Sequence, residues 1–99
     1  MSAARTASSS VVITHATGLH ARPAVKFTKL AKTFSDAEIR IRGADDKPWI
    51  DAKSIVKVMA LKLRSGSTLQ MTAEGSEAEA AIAALKELVE DDFGESEKG

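Results

Sequence analysis

Residues 17–24 of this chain read Thr-Gly-Leu-His-Ala-Arg-Pro-Ala, and this order of residue types predicts a sharp turn that leads directly into a helix. Gly18 permits the turn because glycine readily adopts backbone angles that other residues avoid. Pro23 has no backbone N–H donor and is tolerated in a helix only within the first turn, where that donor would have no partner. We therefore expect a helix that begins near Ala21, with His20 at or beside its N-cap.

The predicted start of this helix is a favourable place for an anion. Unpaired backbone N–H groups and the positive end of the helix dipole both point to that position. Arg22 adds a permanent cation whose planar guanidinium matches phosphate oxygens. A single histidine is more often structural than reactive, but a nucleophilic imidazole at His20 inside an anion site is suited to carry a phosphoryl group transiently.

The rest of the chain alternates short strands with helices. Apolar residues recur at helical spacing after Arg22 and again near the C-terminus, and they alternate with polar residues around residue 40 and residue 70. The predicted elements are strand 11–15, helix 21–33, strand 37–42, strand 48–51, helix 55–61, strand 69–73 and a last helix after Gly75, with Ser76 and Glu79 as its capping box.

This β-α-β-β-α-β-α order predicts a two-layer α/β fold. Strands with one apolar side are typical of a sheet that helices cover on one face only. Ninety-nine residues suffice for one domain, which we assign to residues 11–90. Residues 1–10 are expected to be a disordered leader, and residues 91–99 an acidic flexible tail.

Composition narrows the class of protein. The chain has no cysteine, so disulfides and thiolate metal sites are excluded. We expect the protein to need no cofactor. Residues 1–89 carry 13 basic and nine acidic residues, a net charge of +4, which favours acidic protein partners. Aromatic residues make up only 4% of the chain, so nucleic acid is not an expected partner. We expect a cytoplasmic monomer that does not insert into a membrane.

A docking surface is predicted beside His20. The short helix after Ser54 carries more apolar residues than two turns can bury, so part of the set is expected to be exposed. Ser54 itself is predicted to be the N-cap of that helix. The residues expected to bind partners are Thr17, Gly18, Pro23, Lys26, Lys29, Ile55, Val56, Lys57 and Met59.

Two segments resemble the signatures of the HPr family, the histidine-containing phosphocarriers of the bacterial phosphoenolpyruvate-dependent phosphotransferase system. Gly18–Ala24 is similar to the family's active-site motif, and Ala52–Met59 is similar to the motif around its regulatory serine. The resemblance covers residues 11–90. It implies an open-faced sandwich with a four-stranded antiparallel sheet covered by three helices.

The resemblance also implies a role for individual residues. His20 would accept a phosphoryl group from enzyme I on Nδ1, stabilised by Arg22, and pass it to an enzyme IIA-type acceptor of a sugar-uptake or nitrogen-regulatory system. Ser54 would be phosphorylated by an HPr kinase/phosphorylase in lineages that have one. Such a protein is a stoichiometric carrier rather than an enzyme.

Other readings of the same residues remain open at this point. The main alternative is a regulatory adaptor that transfers nothing and is controlled by phosphorylation of Ser54. A hydrolase that uses His20 as a general base lacks an identifiable nucleophile and orienting carboxylate. His15 has no cationic motif around it and is expected to be a partly buried or surface histidine without a role in transfer.

Overall fold

The computed structural model describes residues 6–15, 18–19 and 21–94. Four strands, β1 (Thr6–Val12), β2 (Glu38–Arg42), β3 (Ile50–Asp51) and β4 (Thr68–Glu74), form one antiparallel sheet with the spatial order β1-β4-β2-β3. The helices are α1 (Ala21–Lys32), α2 (Ile55–Ala60), α3 (Ala78–Glu90) and a short 3-10 helix, Asp92–Gly94. The predicted two-layer α/β architecture is confirmed.

Alternation along the central strands separates a buried face of the sheet from an exposed one. Ile39 and Ile41 of β2 are buried, whereas Glu38 and Arg40 are exposed. In the neighbouring β4, Ala73 lies opposite Ile39 and Met71 lies opposite Ile41, so the buried side chains meet across the strand pair. Pairs of this kind on one face stabilise the sheet and fix its register.

The helices cover the buried face with the stripes expected from their sequence. Phe27 and Ala31 of α1 are completely buried, as are Leu85 and Val89 of α3. Burying apolar side chains such as these from both layers is the main stabilising contribution to the fold. The core is continuous from the sheet to both long helices.

The assignment of residues 1–10 to a disordered leader was wrong for Thr6–Ser10. These residues belong to β1, which pairs with β4 from Thr6 opposite Glu74 to Val12 opposite Thr68. Small polar side chains gave no apolar signal here. The strand forms nevertheless because β4 supplies partners for its backbone groups, and Ala7 packs partly buried against the core.

The assignment of residues 91–99 to a flexible tail was wrong for residues 91–94. The 3-10 helix follows α3, and the side chain of Phe93 is completely buried in the core. A single aromatic residue in an acidic stretch carries no periodicity, so the pattern alone did not reveal this anchor.

The expected capping box at the start of α3 was also wrong. The N-cap is Glu77, and its side chain makes no capping hydrogen bond. Ser76 instead donates a hydrogen bond to the Asp36 carboxylate, and the Glu77 carboxylate accepts one from the Asp36 backbone N–H at 3.0 Å. Both polar side chains therefore tie the start of α3 to the loop after α1 rather than capping their own helix.

Removing residues 1–9 is expected to destabilise the domain, since it deletes four paired residues of β1. At about 0.5–1.5 kcal/mol for each of about four lost hydrogen bonds, the free energy of unfolding should fall by about 2–6 kcal/mol. Urea denaturation measures this change, with a deletion of residues 1–5 as the control that keeps β1 whole. Equal stability of the two deletions would contradict the strand assignment.

Candidate functional site

The connection between β1 and α1 is held against the connection between α2 and β4. The backbone of Ile13 donates to the Ser67 carbonyl at 2.8 Å, and its own carbonyl accepts from Gly66 at 2.7 Å. Further along, the N–H of Leu19 donates to the carbonyl of Leu63 at 2.9 Å. Three backbone hydrogen bonds thus hold Ile13 and Leu19 against the connection between α2 and β4.

Gly18 is the residue that allows the two connections to approach so closely. Its φ of 73° lies in the left-handed region, and a Cβ atom placed there would stand 2.4 Å from the Leu63 carbonyl oxygen and 2.8 Å from Arg64 Cα. Its N–H donates to the His15 carbonyl at 2.9 Å, which closes the turn. The predicted turn at Gly18 is confirmed. Glycine is needed there both for its positive φ and because a Cβ atom would clash with the backbone of Leu63 and Arg64.

His20 and Thr17 lie outside the described residues, so the site is described through their neighbours. Leu19, immediately before His20, is buried and only 1% exposed. On the other side Ala21 begins α1, with Arg22 exposed in the first turn. Pro23 lies in that same turn, where its missing N–H donor leaves no hydrogen bond of the helix unmade, and its side chain is buried.

Ser54 is the N-cap of α2, as predicted. Its φ and ψ of −104° and 111° are extended, and its hydroxyl accepts a hydrogen bond from the Lys57 N–H at 3.3 Å. Its carbonyl accepts from Val58 at 2.9 Å, which is the first bond of the helix. Ser54 is half-buried and lies at the end of α2 where additional negative charge is tolerated best.

Helix α2 packs against α1 and presents part of its apolar surface to solvent. Val56 is 74% exposed, Ile55 and Met59 are partly buried against the core, and Val58 is completely buried. Leu61, the C-cap of the helix, is partly buried. The exposed side chain of Val56 is the most prominent apolar feature of α2.

The three lysines expected around this surface differ in their surroundings. Lys29 and Lys57 are exposed. Lys26 is half-buried, and its Nζ donates to the Phe93 carbonyl at 3.1 Å. Lys26 therefore contacts the segment after α3, whereas the other two cations project from α1 and α2.

Sequence reasoning missed the role of Lys53. Its Nζ donates to the Phe34 carbonyl at 2.8 Å and to the Ala37 carbonyl at 2.7 Å, which ties the residue before Ser54 to the loop after α1. A lysine beside a predicted N-cap gave no sign of this contact, because both acceptors are backbone atoms of a distant loop. Lys53 helps to hold the start of α2 in place relative to α1.

His15 is half-buried, as expected, and its ring meets the Phe93 ring edge-on with a centroid separation of 5.8 Å. Within the described ranges 6–15, 18–19 and 21–94, no cluster of side chains is suited to hold a metal ion. Nor does any helix in the described part of the chain have the length and apolar character needed to cross a membrane.

Comparison with known proteins matches residues 7–91 to the family described as "PTS HPr component phosphorylation site". The phosphocarrier protein HPr of Haloferax volcanii is 39% identical over 72 residues, which are 73% of this chain and 80% of that protein. A multiphosphoryl transfer protein of Vibrio cholerae is 43% identical over 79 residues, 79% of this chain, and the chain spans only 20% of that relative's length.

A solved structure gives the same result for the fold. The crystal structure of HPr-C-His from Thermoanaerobacter tengcongensis superimposes with a TM-score of 0.83 at 38% identity, covering 92% of this chain and 99% of that one. The chain thus has the fold of a known HPr phosphocarrier. The chain belongs to the HPr family of the phosphotransferase system.

Replacing Gly18 with alanine is expected to lower the free energy of unfolding by about 2–4 kcal/mol, since it adds backbone strain to a clash with Leu63 and Arg64. Gly66→Ala is the matched control: its φ of 92° is equally unfavourable for alanine, but no atom lies within 4 Å of the added Cβ. Its expected cost is about 1–2 kcal/mol. Equal losses in urea denaturation would show that close approach at Gly18 is unimportant.

Proposed function

We propose that this chain accepts a phosphoryl group from phospho-enzyme I on His20 and passes it to an enzyme IIA-type acceptor. Membership of the HPr family, with His20 and Arg22 retained in the motif at the start of α1, is the observation that carries the proposal. The chain acts as a stoichiometric carrier and not as a catalyst, because His20 itself is alternately phosphorylated and freed.

The transfer is a direct displacement at phosphorus. A ring nitrogen of neutral His20, which we assign as Nδ1, forms a bond to phosphorus with its lone pair while the bond between phosphorus and the donor breaks. The electron pair of the breaking bond leaves with the donor. The phosphoryl oxygens remain negative, and they are stabilised by backbone N–H groups at the start of α1 and by the Arg22 guanidinium. Delivery to the acceptor repeats the step in the opposite sense.

Docking uses α2 and the adjoining part of α1. Val56 supplies an exposed apolar contact, with Ile55 and Met59 beside it, and Lys29 and Lys57 attract acidic partners. We assign Lys26, Thr17, Gly18 and Pro23 to the rim of the same surface. A carrier has to release each partner, so a small interface with fast dissociation fits this role.

We also propose that the protein is monomeric and cytoplasmic. One face of the protein has to meet the donor, the acceptor and an HPr kinase/phosphorylase in turn, and a permanent partner on that face would block them. Neither nucleic acid nor a membrane is among the partners proposed, and transfer needs no cofactor. The acceptor belongs to either a sugar-uptake or a nitrogen-regulatory branch.

Phosphoryl uptake from phosphoenolpyruvate and enzyme I should depend on His20 alone of the two histidines. Wild type and His15→Ala are expected to acquire a label that is stable in alkali and labile in acid, whereas His20→Ala acquires none. Intact-mass measurement at high pH reads the result. Absence of label on wild type with a competent enzyme I would remove the carrier role and favour the adaptor controlled by Ser54.

Negative charge at Ser54 should weaken docking without unfolding the protein. Ser54→Asp keeps a side chain that can cap α2, so its free energy of unfolding should stay within about 0.5 kcal/mol of wild type, whereas Ser54→Ala should lose about 1 kcal/mol. The aspartate brings an anion next to Val56 and Lys57, and transfer from enzyme I should slow by about tenfold or more. Equal transfer rates for wild type and Ser54→Asp would refute the regulatory role.

A further inference from the structure

The segment after α3 is held in place although its backbone is unfavourable. Asp92 and Phe93 have φ values of 56° and 58°, in the left-handed region that residues other than glycine avoid. Two such residues in succession persist only where the surrounding contacts favour them. The completely buried ring of Phe93 provides such contacts within the core.

This segment touches the chain on both sides of His20. Before His20, the Thr14 hydroxyl donates a hydrogen bond to the Asp92 carboxylate at 3.4 Å. The His15 ring meets the Phe93 ring edge-on, with an interplanar angle of 74°. After His20, Lys26 of α1 donates to the Phe93 carbonyl at 3.1 Å. Phe93 therefore links the β1–α1 connection at His15 to the second turn of α1.

The contact with His15 reaches the turn itself. The His15 carbonyl accepts the hydrogen bond from the Gly18 N–H at 2.9 Å, and the next N–H, that of Leu19, is bonded to Leu63. A ring that fixes His15 therefore also fixes the acceptor that closes the turn before Leu19. Without the Phe93 ring, the hydrogen bond from Leu19 to Leu63 would remain, but His15 would lose its aromatic contact.

We infer that Phe93 is a positioning residue for phosphoryl transfer: it holds the turn before His20 and the start of α1 in one arrangement. The effect on phosphoryl transfer rests on the proposed function, whereas the contact between Phe93 and His15 does not. A reacting group held in its productive geometry needs less reorganisation before transfer, so fixing both sides of His20 raises the maximal rate. Docking through α2 does not depend on Phe93.

The test compares wild type, Phe93→Ala, Phe93→Leu and Met71→Ala. Met71 is a buried side chain of β4, only 1% exposed, so its truncation destabilises the same core from the side of the sheet. Two quantities are measured: amide hydrogen exchange at Gly18 and Leu19 by NMR, and phosphoryl uptake from enzyme I as the concentration of this protein is varied.

For Phe93→Ala we expect exchange at Gly18 and Leu19 to accelerate at least tenfold relative to the amides of β4. The maximal rate of uptake should fall about tenfold, while the half-saturating concentration changes less than twofold. Phe93→Leu should give about threefold effects in both quantities, and it decides the matter if the alanine variant does not fold. Met71→Ala should leave the maximal rate per folded molecule unchanged.

Two results would overturn the inference. One is Phe93→Ala behaving like Met71→Ala in both measurements, which would leave Phe93 a general contributor to stability. The other is a rise in the half-saturating concentration with an unchanged maximal rate, which would place Phe93 in docking. If wild type accepts no phosphoryl group, the proposed function and the effect on transfer fail together, while the exchange rates still decide whether Phe93 holds the turn.

Discussion

The hydrogen bond from the Leu19 N–H to the Leu63 carbonyl, with Gly18 pressed against the same backbone, is the contact on which the site depends. It joins the connection that enters α1 to the one that leaves α2. No side chain larger than hydrogen fits at Gly18 without moving that backbone. The contact therefore holds Leu19, two residues before α1, against the segment that leads from α2 into β4.

In the proposed function, the starts of α1 and α2 belong to one surface, although they lie more than thirty residues apart in sequence. Ser54 caps α2, Lys53 ties the start of that helix to the loop after α1, and Val56 remains exposed beside α1. Under the proposed function, charge added at Ser54 enters the surface where partners of His20 dock. On that proposal, phosphorylation of Ser54 acts on docking through local electrostatics and requires no change of fold.

Features set by neighbouring residues were predictable from the sequence, and features set by distant contacts were not. Pro23 in a first turn and Ser54 as an N-cap follow from local backbone chemistry. Thr6–Ser10 form a strand only because β4 offers partners, and Phe93 is buried only because the core leaves room for its ring. Ser76 had the pattern of a cap, but Asp36 of a separate loop provides its partner. Family resemblance supplied the roles of His20 and Arg22, which spacing alone left open.

Mapping the phosphorylated protein by ¹H–¹⁵N NMR tests the central claim most directly. After incubation with phosphoenolpyruvate and enzyme I, one phosphohistidine signal should appear in the ³¹P spectrum. The backbone shifts should change most at Gly18, Leu19, Ala21 and Arg22, with smaller changes in α2, while the outer face of β1 and β4 stays unperturbed. The largest changes at Ser8 and Thr72, or a phosphoryl group on His15, would contradict the account.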